Sequence, residues 1–556
     1  MSFSRPAWPL CCVLLVSGAC RPAARTLAPS DPVQTEPPPP PPPPPPVDPD
    51  PIPDVPAWPA LQTGAVEDMA ISFSADVAPI LYTLYSDVYE PGQMLIQGTW
   101  MDVILRQRGQ GSREWPKHSW KTKLPSGVDV DGIHTRNFIS EWSDAGYLGH
   151  LFDLDLMRGA GVQQPRTRYV TLAVNGDFQG VYLEMEDVDT TRFLESHGFD
   201  PAANIYRCGL RDCEMKMPGT PLEHYQGPWE KRTNTTLPSD DLDAFLTALN
   251  RTPEGDFEAW LAATMDLDRF VRYYAAQALM SLSGIDDSGS YLIHDLQRGL
   301  WSYVPWNLNH SKNMFWPINP AEWDAPVKYA IPTYTLYDAA TIGIMQGKIT
   351  RYGAPAHPPF QTLTQRVWDH PALRGRVLDE IAAMIDGYFS PAQSFPRIEA
   401  EQALIAADKA RDPWVQAAYE ARCIPFLENY VTGRIAFLRS QIEVERHRGE
   451  DGLVVNAVGP GVVEIYNRGA ADRALDGLAI TGDLRNRTQQ PLPAGLVVPA
   501  HGKLALPFAV SDSGGEVGLF DATTLEPATP ATYYGPTGGR TYGRVPDGSD
   551  TWDWRG

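Results

Sequence analysis

The sequence predicts an α+β protein in which a domain of strands followed by helices precedes a separate all-β domain. Three observations carry that prediction. Strand and hairpin signals lie between about Val66 and Glu186. Apolar residues at helical spacing dominate from Ser239 to about Glu445. Short β-type runs broken by turn residues take over after Gly449. At 556 residues the chain is long enough for two to four domains.

Met101 to Arg108 and Lys117 to Leu124 read as strands joined by Gly109-Gln110-Gly111-Ser112. Alternation in the second places Lys117, Ser119, Lys121 and Lys123 on one face and Trp120, Thr122 and Leu124 on the other. Arg168–Val174, Asn175-Gly176 and Phe178–Met185 form a hairpin signal, because Asn-Gly accepts the positive φ angles of a two-residue turn. Helices follow. Ser239 caps a segment with Leu242, Phe245, Leu246 and Leu249 on one face, and Asp266 caps a second with Phe270, Val271, Tyr274 and Ala278. A third starts at Pro371 and turns Leu373, Val377, Leu378, Ile381, Met384 and Ile385 inward, and a fourth spans Trp414 to about Glu445 with breaks at Pro425 and Gly433. The β-type runs are Leu453–Val458, Val462–Tyr466, Leu478–Thr481, Lys503–Leu506 and Val517–Phe520, the pattern of a sandwich of roughly 100 residues.

Composition narrows the function. A hydrophobic content of 43% with 16 Trp and 23 Tyr supports sizeable cores, and the formal charge of −22 repels phosphate backbones, so nucleic acid is not expected as a partner. Residues 1–20 read as an export signal: Arg5, an apolar stretch from Ala7 to Val16, then small residues before Cys20. Ser17-Gly18-Ala19-Cys20 resembles a lipobox, which implies a membrane anchor through acylated Cys20, with ordinary signal cleavage as the alternative. Residues 21–60 read as a tether, and its ten consecutive prolines favour a stiff polyproline II rod. Cys208 and Cys213 are spaced to close a hairpin disulfide in an oxidising compartment, and half of a metal site is the alternative. Cys423 reads as a buried apolar thiol.

Between these segments a series of motifs recurs in a definite order. Arg106-Gln-Arg108-Gly109 with Ser112 is followed by Trp115-Pro116-Lys117-His118-Ser119-Trp120-Lys121, then Trp142-Ser143-Asp144. The Asn175-Gly176-Asp177-Phe178-Gln179-Gly180-Val181-Tyr182 hairpin, Glu184, Glu186 and Asp189 come next. Asp286-Asp287, Tyr291-Leu292-Ile293 and Pro305-Trp306-Asn307-Leu308-Asn309 complete the series. Residues 61–449 thereby resemble the CotH kinase-like family of spore-coat protein H type. The resemblance implies an atypical, bilobal protein-kinase-like fold with a nucleotide cleft, and ATP with Mg2+ or Mn2+ as cofactors if the domain is active. Phosphoryl transfer needs cations on the phosphates, carboxylates for the metal and a carboxylate for the acceptor hydroxyl. On the resemblance, Lys117, Lys121 and Arg108 would touch phosphates, Glu186 would sit at a hinge, and Asp286 or Asp287 would orient the acceptor. Asn307 and Asn309 would stand at the metal.

The metal corner departs from the family pattern. Asn307 stands where the family has a metal-binding aspartate, and Ser290 stands where it has an asparagine. An amide keeps the shape of a carboxylate but loses the negative charge that a hard cation wants. Two readings follow: a pseudokinase serving as a surface binding or structural module, which the substitution favours, or a working extracytoplasmic kinase in which Asp286, Asp287 or Asp295 supplies the missing carboxylate. Residues 450–556, with Val463-Glu464-Ile465-Tyr466-Asn467 and Thr541-Tyr542-Gly543-Arg544, resemble a lamin-tail domain, which implies an immunoglobulin-like sandwich. The partners this implies are cell-envelope or surface proteins, and the location is the cell envelope. Metalloprotease, P-loop and nucleophile-elbow motifs are missing from the sequence. Asp129-Val130-Asp131-Gly132 reads as a turn rather than a calcium loop, since Ser140 stands where such a loop needs Glu.

Overall fold

Strand alternation in the first third of the chain produces a barrel rather than an open sheet. The fold is a computed structural model that describes residues 52–109, 111–144, 146–208, 213–216, 229–281, 289–306, 308, 309, 311, 312 and 361–555. Strands β1 (Glu67–Ser72), β2 (Glu90–Ile96), β3 (Thr99–Arg108), β4 (Ser119–Lys123), β5 (Thr135–Ile139), β6 (Thr167–Val174) and β7 (Asp177–Glu186) close in the order β1-β2-β3-β4-β5-β7-β6. Closure comes from the parallel pairing of β1 with β6; the other neighbours are antiparallel. Inward residues such as Ile71, Met94, Leu105, Trp120, Phe138, Leu172 and Tyr182 fill the interior. The Asn-Gly hairpin forms as predicted, with φ of 51° at Asn175 and 90° at Gly176. The strand expected from Lys117 begins instead at Ser119, which leaves Lys117 outside the alternating face.

Beyond the barrel, β8 (Asn204–Cys208), β9 (Trp229–Lys231), β10 (Ser290–Asp295) and β11 (Leu300–Pro305) form a sheet in the order β11-β10-β8-β9. Around it stand α1 (Ala78–Leu81) at the barrel, α2 (Gly149–Gly159), α3 (Thr191–Ser196), α4 (Asp240–Arg251), α5 (Phe257–Thr264), α6 (Leu267–Met280), α7 (Thr362–Asp369), α8 (Pro371–Asp386), α9 (Pro391–Lys409), α10 (Ala417–Glu420) and α11 (Cys423–Arg446). The Asp266 side chain caps α6 by accepting from the Arg269 amide, and Pro371 takes the first position of α8, where its missing N–H is harmless. The six apolar residues expected to face inward from α8 are all buried. The interruption expected near Pro425 falls at 421–422, between α10 and α11, and the one expected at Gly433 does not occur. Pro425 falls in the first turn of α11, where amides have no intrahelical acceptor, and buried Leu427, Tyr430, Val431, Arg434 and Leu438 hold the helix through Gly433.

One boundary differs from the sequence reading. Residues 52–60, expected in the tether, pack on the helical region: the Ala57 amide bonds to Gly159 O (3.1 Å), Trp58 Nε1 donates to Tyr388 O (2.6 Å) and Arg397 donates to Pro59 O (2.6 Å). Trp58 also lays its ring 5.0 Å from Phe152. A half-buried indole packed against two aromatic rings holds this segment on the folded region rather than on a free linker. The all-β region packs on the helical region. Arg366 of α7 lies between the Phe257 and Tyr533 rings, 3.8 and 4.3 Å from their centroids. The Gly255 amide donates to Tyr542 Oη (2.9 Å), and Asp369 accepts from the Ala531 amide (3.0 Å). Lys216 is buried in an ion pair with Glu516.

That all-β region contains β12 (Leu453–Gly459), β13 (Val462–Asn467), β14 (Arg473–Ala474), β15 (Leu478–Thr481), β16 (Gln490–Pro491), β17 (Val497–Val498), β18 (Lys503–Pro507), β19 (Gly515–Asp521), β20 (Thr532–Tyr534), β21 (Thr541–Arg544) and β22 (Trp552–Arg555). A five-stranded sheet, β18-β13-β12-β21-β22, and a four-stranded sheet, β16-β15-β19-β20, share one apolar core that includes Val455, Ile465, Ile480, Val517 and Tyr534. Among the described residues no helix is long and apolar enough to cross a membrane.

Candidate nucleotide cleft

The end of β3, the middle of β4 and β5, and the segment leaving β7 present polar side chains toward β10 and β11. Cross-strand register puts Lys121 opposite Arg106 on one side and Asn137 on the other, and Asn137 opposite Met185. Lys121 Nζ lies 2.7 Å from Asp187 Oδ2, with both side chains almost fully buried. Asn137 Nδ2 supports the same carboxylate at 3.4 Å and also reaches Met185 O. Arg108 ends β3 with its guanidinium 5.9 Å from the centroid of the Trp306 ring. Burial pushes the Arg108 pKa down, and the Asp187 charge works against that shift. Tyr291 of β10 stands edge-on to Trp306 at 5.7 Å. Burial raises its hydroxyl well above the ordinary range, and the carboxylates of Asp189 and Asp187 add to that. Asp189 is itself held by Arg207 (3.2 Å) and Arg232 (2.9 Å).

The residues singled out from the sequence fall into separate environments. Lys121 and Arg108 belong to this cleft. Lys117 does not share their face. Its ammonium is fully buried, donates to Asp412 Oδ2 (3.0 Å) and Val181 O (2.6 Å), and lies over the rings of Tyr147 and Tyr182. Burial lowers its pKa to about 8 against the pull of Asp412. The tight approach depends on Gly180, whose φ is +91° and where a Cβ would overlap the Asp412 carboxylate. Glu186 turns to the opposite side of β7, where Arg166 (2.9 Å), His197 (3.2 Å) and Ser196 (3.1 Å) surround its carboxylate. Burial alone would raise its pKa, but His197 and Arg166 outweigh that and hold it at about 2.

Asn309 and Ser290 each bury a side-chain oxygen with no hydrogen-bond partner, an arrangement that ordinarily costs about 1–3 kcal/mol per group. Close to Asn309 lie Asp144, which accepts the Gly149 and Gly146 amides at the start of α2, and Lys312, which bonds both oxygens of Asp153 at 2.7 Å. Asp286, Asp287, Asn307 and Cys20 lie outside the described residues. Cys208 and Cys213 are joined in a disulfide with their Cα atoms 5.9 Å apart, and Cys423 is a buried thiol. The Asp129–Gly132 segment is a turn, closed by the Gly132 amide on Asp129 Oδ1 and by a Val130–Ile133 bridge. Among the described residues no three His, Cys, Asp or Glu side chains converge on a point fit for a metal ion.

Sequence reasoning passed over Asp187 and Asp412. Asp187 was within reach, since it directly follows the acidic end of β7. Asp412 carried no local signal, because its partner Lys117 lies 295 residues away.

A sequence model of the family described as CotH kinase protein matches residues 105–438. The inner spore coat protein H of Bacillus subtilis (strain 168) is 22% identical over 240 residues, a stretch covering 42% of this chain and 65% of that protein. The alignment therefore spans somewhat less than two thirds of the relative. The crystal structure of a Helicobacter pylori proinflammatory kinase, CtkA, aligns over 64% of this chain and 94% of its own, with a TM-score of 0.25 and 10% identity.

Proposed function

The chain belongs to the CotH kinase protein family, and from that premise we propose that it is a pseudokinase: a bilobal kinase-like domain that has lost metal-dependent nucleotide chemistry and serves as a recognition or structural module in the cell envelope. The observation that carries the reading is the run Trp306-Asn307-Leu308-Asn309, in which a neutral amide, Asn307, stands at the position of the family's metal-binding aspartate. Magnesium binds through anionic oxygens, and an amide supplies only a dipole. Ser290, standing where the family has an asparagine, supports it, since a hydroxyl brings no charge.

The rest of the cleft keeps the chemistry for phosphates. Lys121 and Arg108 would hold the phosphate oxygens of ATP, Asp187 would position Lys121, and the Trp306 and Tyr291 rings would exclude water. Bound ATP would supply a transferable phosphoryl group, with Asp286 or Asp287 assigned by the resemblance to the acceptor hydroxyl. Residue types thus fit the nucleotide better than the metal.

Cys20 as a lipid anchor, the proline rod and the Cys208–Cys213 disulfide fit together as features of an exported protein held off a membrane. In this reading the all-β region is a lamin-tail-like, immunoglobulin-like sandwich that presents a surface to other envelope proteins.

Calorimetric titration tests the proposal on the chain from Pro46 onward, a start that retains Trp58 and its contacts. ATP is added with and without Mg2+ or Mn2+, to the unaltered chain and to Asn307→Asp. The expected result is no metal-dependent binding by the unaltered chain and its appearance in Asn307→Asp. Metal-dependent ATP binding by the unaltered chain would overturn the pseudokinase reading and restore an extracytoplasmic kinase.

A further inference from the structure

At the end of the barrel where β6 turns into β7, a cavity of about 130 Å³ opens beside the start of β4. Its wall combines three aromatic side chains, Tyr82, Trp120 and Tyr182, with His118, Asp177 and Gln179. None of the cleft residues Arg108, Lys121 or Asp187 lines it. The aromatic rings are set by one another rather than by solvent. Tyr82 stands edge-on to His118 at 5.5 Å and to Trp120 at 5.9 Å, and Tyr182 donates its hydroxyl to His118 O at 3.0 Å. Tyr82 is nevertheless 47% exposed, and it forms the outer lip.

The polar groups define what would fit. His118 Nδ1 is buried with no hydrogen-bond partner, while its main chain is pinned by Tyr182. Burial pushes the imidazole pKa down, so the ring is neutral near pH 7. Asp177 is an exposed carboxylate at the rim, and Gln179 Oε1 already accepts from Trp414 Nε1 at 3.3 Å, which fixes its orientation. Among the described residues no lysine or arginine lines the cavity. Lys117, over the Tyr182 ring, is committed to Asp412. An anion would therefore face an uncompensated carboxylate, whereas a neutral polyhydroxyl molecule would donate to Asp177, meet the orphaned imidazole and accept the second amide hydrogen of Gln179, whose first goes to Asp177 O at 3.3 Å. The volume is close to the roughly 150 Å³ of a cavity that admits one benzene ring. Mouths of β-barrels are also recurrent ligand sites.

We propose that this barrel mouth binds one neutral pyranose ring, with its C–H face on Tyr82 and its hydroxyls on Asp177, Gln179 and His118. The site lies apart from the metal corner and does not depend on whether the cleft binds ATP.

The test is saturation-transfer NMR on the full chain with glucose, galactose and N-acetylglucosamine, followed by titration of any that respond. A trisaccharide ending in the same sugar separates a free sugar from the end of a glycan. Tyr82→Ala and Asp177→Asn alter exposed side chains, and circular dichroism reports whether each variant keeps the fold. The expected result is saturable binding of at least one of the sugars, weakened about tenfold or more by each variant. Absence of binding by all three sugars and the trisaccharide would overturn the proposal. So would binding that both variants leave unchanged, or a preference for tetramethylammonium, which would mark an aromatic cage for cations.

Discussion

Replacing Lys216 by Met is expected to loosen the junction between the helical and all-β regions. Lys216 and Glu516 are each almost wholly inaccessible to water and ion-paired, with Asp483 3.4 Å from the same ammonium. Burial pushes the Lys216 pKa down to about 8, so the charge is held there at a desolvation penalty that its carboxylates offset. Met keeps the length of the side chain and removes the charge, leaving the Glu516 carboxylate with the Leu484 amide (2.7 Å). Removing one partner of a buried ion pair costs about 3–5 kcal/mol, a large share of the roughly 5–15 kcal/mol that holds an ordinary domain together. Pairing Lys216→Met with Glu516→Gln removes the stranded charge and keeps an oxygen for Leu484 N, so the double variant should recover most of the loss. Urea unfolding followed by tryptophan fluorescence and by circular dichroism measures both. If the single variant unfolds within about 1 kcal/mol of the unaltered chain, and the double variant is no more stable than the single, the junction does not depend on this pair.

Lys117→Met strands the buried Asp412 carboxylate in the same way and should cost about 3 kcal/mol or more, with Asp412→Asn in the same chain restoring part of it; thermal melts of the three proteins decide. Glu186 carries a pH dependence of definite sign. Its folded pKa of about 2 lies below the model value of 4.5, so its contribution is complete above pH 4.5 and disappears as the pH falls toward 2. Glu186→Gln should therefore flatten the acid limb of the stability curve below pH 4.5 by about 3 kcal/mol, as urea midpoints at stepped pH would report. Opening the Cys208–Cys213 disulfide, whose partners are 5 residues apart in sequence, should lower stability by only about 2 kcal/mol, because the loop it closes is short. A Cys208→Ser, Cys213→Ser variant that loses far more would point to a packing role for the sulfurs.

The features legible in the sequence were those whose cause is local. Asn175-Gly176 specifies its turn because both residues accept positive φ, and flanking alternation then sets the β6–β7 register. Asp266 and Pro371 announce helix starts through the unsatisfied amides of a first turn, and the spacing of Leu373 to Ile385 determines which side of α8 is buried. Where local rules misled, a neighbouring condition overrode them. Gly433 reads as a helix break until the buried residues on either side of it are known to hold α11 together, and residues 52–60 read as tether until Trp58 meets Phe152 and Tyr388.

The motif order, in turn, was enough to name the family. It could not say that Lys117 and Lys121, four residues apart, live in different worlds. That difference is made by Asp412, which comes 295 residues later to take one ammonium, and by Asp187, which takes the other. The docking of the all-β region through Lys216, Arg366 and Tyr542 is of the same kind. Hydrophobic period and turn chemistry act over a few residues and leave their mark in the chain. The pairing of buried charges depends on which surfaces meet when the whole chain closes, and only the tertiary structure decides that.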